Sequence, residues 1–446
     1  MTALPFPHPV LSHLALAIAL ALGGAASAQA QSLVDLYEAA RGFDSTLQSA
    51  RAQHDAALAK AEQAKAGLRP QAGLGAGASW ANSSNSVTDT SKTSNSQNVA
   101  LSASQPLYRP VNRFNNEQGQ LSIDIAKAQL DAAEQDLIVR TAQAYFDVSA
   151  AQDTLTFVQA QKTAVAEQLA SAKRNFEVGT STITDSREAQ ARFDLVLAQE
   201  IAASNDLLVK KLALDQLVGR SGATPRALAA PVSLPALLPA DPEAWVQDAL
   251  RQHPVVRQTD KAFEIAEIEA QKAQAGHKPT LDLVGQYQVA RGPSSNFPTA
   301  GNVRSNTASV GLQFNLPLYA GGAIQNRVKE ALALVEKSRA DRETALRNIS
   351  QATRSAYFGV LSGMGQVKAL EAAEASSQSA LDANKLGYQV GVRINIDVLN
   401  AQSQLFQTKR DLAVARYNVL VGQLRLKQAG GVLKAEDLQP VNALLK

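Results

Sequence analysis

From about Val111 to Val178 no proline interrupts the chain, and Ile123, Leu130, Leu137, Ala144, Ala151, Val158, Val165 and Ala172 recur at strict seven-residue spacing. From Val148 a second stripe joins four residues further on, through Leu155, Leu169 and Phe176. Apolar residues at this spacing predict a coiled-coil helix, and about 67 residues at ~1.5 Å rise make a rod of roughly 100 Å. An ordinary globular helix is only ~10–14 residues long, so a thick globular core is excluded. Composition agrees: the 446-residue chain is 45% apolar but only 5% aromatic.

The long helix ends in Phe176-Glu177-Val178-Gly179-Thr180 and the next begins at Ile183-Thr184-Asp185. A second version, Tyr388-Gln389-Val390-Gly391-Val392 followed by Ile396-Asp397, lies 212 residues later, counted from Gly179 to Gly391. Both read as helix-to-helix turns in which glycine ends one helix and aspartate opens the next, where a carboxylate meets free amide hydrogens. The flanking segments repeat too: Pro106-Leu107-Tyr108 with Pro317-Leu318-Tyr319, Ala144-Tyr145-Phe146 with Ala356-Tyr357-Phe358, and Leu68-Arg69-Pro70 with His277-Lys278-Pro279. The chain is an internal duplication.

Residues 1–30 read as a cleaved export signal, with an apolar run from Leu11 to Ala26 and the small-x-small site Ala28-Gln29-Ala30. With no cysteine there is no disulfide framework, no thiolate metal site and no acylated cysteine. The first repeat spans 31–219: a helix from Leu33 to Leu68, strands at about 71–81 and 98–106, the long helix, the turn and a helix to Val218. Residues 220–242 form a connector. The second repeat spans 243–431, with a helix from Pro242 to Ala275, strands at about 280–290 and 304–316, and the second long helix, turn and helix; 432–446 is a tail. Residues 82–98 and 292–303 are polar, read as loops without an apolar anchor.

Each strand alternates. Leu74, Ala76, Ala78 and Trp80 face away from Gly73, Gly75, Gly77 and Ser79, and Ala308, Val310, Leu312 and Phe314 face away from Ser309, Gly311, Gln313 and Asn315. Strands of about ten residues with one apolar face suit an outer-membrane barrel, with Trp80 and Tyr287 as candidates for its aromatic girdle. Four strands cannot close a barrel, and an open sheet edge in lipid leaves backbone groups unsatisfied, so several copies must share one.

No catalytic set is visible. The mature histidines His54, His253 and His277 lie in unrelated segments, and Gly73-Leu74-Gly75-Ala76-Gly77 lies inside a strand rather than between strand and helix. No cofactor or metal is expected, and a net charge of +3 gives no footing for nucleic acid. A trimeric coiled-coil surface adhesin is the alternative, but its strands belong at one terminus rather than at two internal places.

Asn175-Phe176-Glu177-Val178-Gly179, Ile183-Thr184-Asp185, Gly387-Tyr388-Gln389-Val390-Gly391, Asp397-Val398-Leu399, Ala415-Arg416-Tyr417-Asn418 and the Ala189-Gln190 and Ala401-Gln402 pairs resemble the TolC family of outer-membrane efflux and secretion channels. The resemblance covers the mature chain in the family's order. It implies a mainly α fold with membrane β: a homotrimer with a twelve-stranded barrel in outer-membrane lipid, continued by a periplasmic helical barrel. It implies a periplasmic adaptor (membrane-fusion) protein and an inner-membrane transporter as partners. At the turn, it implies that Tyr388 and Arg393 bond to Thr184 and Asp185 to hold a gate shut, and that Asp397 lines the constriction. The family often has a second acidic residue where this chain has Asn400.

Overall fold

The computed structural model describes residues 31–85, 90–229, 234–293 and 302–446; the expected signal segment lies outside them. In chain order the elements are α1 (Leu33–Phe43), α2 (Ser45–Ala66), β1 (Gln71–Asn85), β2 (Thr90–Tyr108), α3 (Pro110–Glu177), α4 (Ile183–Val218), α5 (Pro242–Gln252), α6 (Pro254–Gln274), β3 (Thr280–Pro293), β4 (Asn302–Asn315), α7 (Ala323–Gln389), α8 (Asn395–Ala429) and α9 (Leu438–Asn442). Among the described residues no helix is long and apolar enough to cross a membrane.

The chain packs as two compact units, and neither coincides with a sequence repeat. One takes the described part of Met1–Ser45 with Glu134–Trp245 and Thr353–Lys446; the other takes Thr46–Ala133 and Val246–Ala352. Each draws on both repeats because α3 and α7 run on from one unit into the other.

Two helices expected to be continuous are broken. Asp44 separates α1 from α2: its backbone turns to φ −59, ψ 117, and its buried carboxylate takes two hydrogen bonds from Arg140, at 2.8 and 3.1 Å. The charge-assisted pair helps to stabilise the break. Pro254 separates α5 from α6, since proline has no amide hydrogen to continue α5. His253 caps the new helix, its Nδ1 accepting from the Val255 amide at 3.2 Å.

In the unit containing the strands, β1 to β4 form one antiparallel sheet in sequence order. The register puts Leu74, Leu101, Tyr287 and Ala308 on one rung and Gly73, Ser102, Gln286 and Ser309 on the next, so the apolar and polar faces continue across all four strands. The polar face is hollow, lined by Gln71, Ser102, Ser104, Gln286, Ser309 and Gln313. Trp80 and Tyr287 are exposed at 70% and 47%, so neither packs into a core of its own chain.

The strands run beyond the alternating stretches, and most of the expected loop at 82–98 is strand, pairing out to Asn85 and Thr90. The polar residues satisfy one another along the ladder. Ser79 and Ser96 hydroxyls meet at 2.6 Å, and Ser91 donates to Asn82 at 3.1 Å. Where both faces are polar, no period-two contrast marks a strand. Residues 86–89 and 294–301, the centres of the expected loops, lie outside the described residues.

At the helix end of the sheet Arg109 holds Asp282 through two hydrogen bonds, at 2.7 and 2.6 Å. Above it, Glu269 of α6 joins three helices, meeting Lys272 at 2.6 Å, Arg327 of α7 at 2.7 Å and Gln118 of α3 at 3.0 Å. Burial opposes its ionisation, but these donors outweigh burial and hold the carboxyl at about 2.

In the other unit the heptad stripe is a core. Val158, Val165, Leu169 and Ala172 of α3 pack on Ala189 and Val196 of α4 and Leu399 of α8. The repeated Ala-Tyr-Phe segments also have a role. The Tyr145 hydroxyl accepts from the Arg226 amide at 2.7 Å, and the Tyr357 hydroxyl donates to the Ala240 carbonyl, so each repeat pins one end of the connector. Burial pushes the Tyr145 phenol up to about 12. The connector then meets the tail through a bridge between Leu228 and Leu445.

Candidate functional site

The two turns share one backbone. Gly179 and Gly391 both adopt φ 78, a left-handed conformation that favours glycine. In the first turn the Gly179 amide bonds to Phe176 at 3.0 Å and the Thr180 amide to Asn175 at 2.8 Å; in the second Gly391 bonds to Tyr388 at 3.2 Å and Val392 to Gly387 at 2.8 Å. These nested bonds satisfy the last carbonyls of α3 and α7. A side chain at Gly387 would sit 2.6 Å from Cγ of Arg393, so glycine there lets Arg393 lie across the helix end.

The turns differ in how the next helix starts, and the difference decides what each aspartate does. Thr182 accepts from the Asp185 amide at 3.2 Å while the Asp185 carboxylate accepts from the Thr182 amide at 3.1 Å, a reciprocal capping box. Ser181 and Thr182 hydroxyls add bonds at 2.6 and 2.8 Å, and these partners hold the Asp185 carboxyl below the usual carboxylate range. In the second turn the matching cap is Ile394, which has no side-chain acceptor. Asp397 is therefore not engaged in capping, and Arg393 approaches it at 3.8 Å.

Arg393, Asp397, Asn384, Asn400 and Gln404 line one open polar hollow. Asn400 accepts from Arg192 at 2.9 Å, so the position where the family often has a second acidic residue is held by a guanidinium. Tyr388 is half-buried against the cluster of Leu381, Val398 and Leu405, and its hydroxyl accepts from Asn175 at 3.3 Å. Thr184 is exposed. Within one chain, among the described residues, no hydrogen bond joins Tyr388 or Arg393 to the side chains of Thr184 or Asp185.

Three residues that hold the site together, Gln168, Asn175 and Asn395, are not among the candidate site residues read from the sequence. Asn395 is 1% exposed; its amide donates to the Asp185 carbonyl at 3.4 Å and its oxygen accepts from Gln168. Asn175 holds Tyr388. Aligning the repeats shows the available signal: Asn395 stands where the first turn has Ile183, a polar residue at an apolar position. Among the described residues no cluster of His, Asp or Glu could hold a metal.

Comparison with known proteins gives one answer. The family described as outer membrane efflux protein matches residues 36–220 and 245–432. The outer membrane protein TolC of Vibrio cholerae is 33% identical over 417 residues, covering 94% of each chain. The alkaline protease secretion protein AprF of Pseudomonas aeruginosa is 30% identical, covering 92% of this chain and 86% of its own. The CmeC outer membrane channel of Campylobacter jejuni has the same fold, with a TM-score of 0.78 at 17% identity over 93% of this chain and 90% of that one. With the family matched over both repeats and full-length relatives at this identity, the chain belongs to the outer membrane efflux protein family.

Proposed function

We propose that three copies of this chain form a passive exit duct across the outer membrane, and that the duplicated turn is its gate. The carrying observation is the sheet: four strands in sequence order, with the outer edges of β1 and β4 unpaired among the described residues, and with one apolar and one polar face. In lipid such edges must be paired, and an edge-to-edge ring removes them. Three copies give twelve strands, enough for a barrel with a polar lumen.

The chain is an outer-membrane protein of efflux and type I secretion, in line with relatives named as an outer membrane protein, an outer membrane efflux protein and a protease secretion protein. It hydrolyses nothing in this reading; an inner-membrane transporter supplies the energy and a periplasmic adaptor joins the two. At the gate, Tyr388 and Arg393 of one copy bond to Thr184 and Asp185 of the next. Support comes from Arg393, which is 59% exposed and whose one carboxylate neighbour among the described residues is Asp397 at 3.8 Å, and from Thr184, which is exposed. An exposed ion pair gives ~0.2–1 kcal/mol and a hydrogen bond ~1 kcal/mol, so three copies sum to several kcal/mol, a barrier that an adaptor can overcome.

The assembly is tested by light scattering on detergent-solubilised protein. A mass of three chains is expected, and a stable monomer with both sheet edges free contradicts the duct.

A further inference from the structure

The four strands carry one acidic side chain, Asp282, and Arg109 occupies both of its oxygens. Among the described residues at the hairpin end of the sheet, positive charge stands without a carboxylate. Along the apolar face of β4, Phe314, Leu312, Val310 and Ala308 give way to Asn306 and then Arg304. On β3, Tyr287 and Val289 give way to Arg291. The register sets Arg291 directly opposite Arg304, with Gln97 of β2 opposite Arg291 on the same rung. Both arginines are exposed, and neither has an anionic partner among the described residues.

Side chains directly opposite on one face start from Cβ atoms about 5 Å apart, and like charges so placed destabilise the strand pair. A phosphate reverses the sign of that interaction, because a guanidinium fork binds phosphate through two parallel hydrogen bonds. The depth also fits. From Leu281 to Val289 the apolar face runs eight residue steps, ~27 Å at ~3.4 Å each; at the ~40° tilt of barrel strands that is ~21 Å of height, and two steps more bring Arg291 to ~26 Å, the edge of the ~25 Å apolar band. The next rung is the arginine pair, at the level of lipid headgroups.

We propose that Arg291 and Arg304 bind a phosphorylated glycolipid of the outer leaflet, with its phosphate on their rung and its acyl chains along Val289, Tyr287 and Val310. The proposal rests on the outer-membrane reading above, which sets the hairpin ends in the outer leaflet.

The test uses the full-length assembly, delipidated in neutral detergent and followed by native mass spectrometry. The probe is bis-phosphorylated lipid A; lipid A stripped of phosphate, phosphatidylglycerol and inorganic phosphate are the comparisons. The parent should prefer the phosphorylated lipid, and the Arg291→Gln, Arg304→Gln double variant should bind it at least ~10-fold more weakly. Arg291→Lys with Arg304→Lys, which keeps both charges and loses both forks, should fall between. Equal binding of phosphorylated and stripped lipid, or parent-like binding by the glutamine variant, overturns the proposal. So does full competition by inorganic phosphate, which assigns the rung to a free anion, or a preference for phosphatidylglycerol. A parent that does not purify as an outer-membrane trimer contradicts the duct instead, and is seen before any lipid is added.

Discussion

The side-chain amide of Asn395 donates to the backbone carbonyl of Asp185 at 3.4 Å, tying the start of α8 to the start of α4. The two helices it ties begin differently: Thr182 engages Asp185 in a capping box, whereas Ile394 leaves Asp397 outside any cap. One duplicated aspartate has become structural; the other is outside any cap, and in the proposed duct it is the one that faces the lumen.

This asymmetry can be transferred. Thr182→Ala should cost ~1 kcal/mol of stability. Ile394→Ser, at a position 61% exposed, should gain part of that and draw Asp397 onto the cap. The thermal midpoint checks the first effect. Cation preference in planar bilayers checks the second, and should fall in the serine variant.

The Arg109–Asp282 pair predicts an unequal cost of its two halves. Asp282 is 5% exposed, so Arg109→Ala strands a buried carboxylate and should destabilise by roughly 2–4 kcal/mol, toward the lower figure because Arg109 is half-exposed. Asp282→Asn in the Arg109→Ala background should restore much of the loss. Chemical denaturation of the four proteins gives the cycle; additive effects would show that the two residues do not interact.

Much of this was readable before any coordinates. The heptad stripe, the duplicated turn and the two-faced strands follow from local periodicity, which depends only on near neighbours in sequence. What depends on remote partners was not readable. The break at Asp44 is held by Arg140, and the tyrosines of the repeated Ala-Tyr-Phe segments act on a connector far along the chain. The polar ends of β1 and β2 carry no periodic contrast, so their pairing was invisible. The two aspartates read alike from the sequence, although a signal was present: Thr182-x-x-Asp185 differs from Ile394-x-x-Asp397 in the residue that caps the helix.

His253 predicts a pH dependence. Burial holds its imidazole below the usual value of 6.5, and its Nδ1 must stay unprotonated to accept from Val255. With a lowered folded pKa, this contribution is fully present above about 6.5 and is lost as pH falls through the folded value. The thermal midpoint should therefore drop between about pH 7 and about pH 5 more in the parent than in His253→Asn, which keeps an N-cap acceptor without a titrating proton.

Asp397 should form a threefold carboxylate ring that attracts cations, multivalent ones above all. Asp397→Ala should weaken cation preference and block by trivalent cations, while Arg393→Ser should strengthen both by removing the guanidinium 3.8 Å away. An alanine variant that stays trimeric and keeps the parent's selectivity would reduce Asp397 to a helix-terminal carboxylate.

The gate itself is tested by single-channel conductance in planar bilayers, comparing the parent with the Tyr388→Phe, Arg393→Ser double variant. The parent should show discrete openings of low conductance, and the variant distinctly larger ones with the trimer intact. Equal conductance in the two proteins would place the closure elsewhere, and a double variant that inserts as a trimer yet passes no ions would contradict the duct.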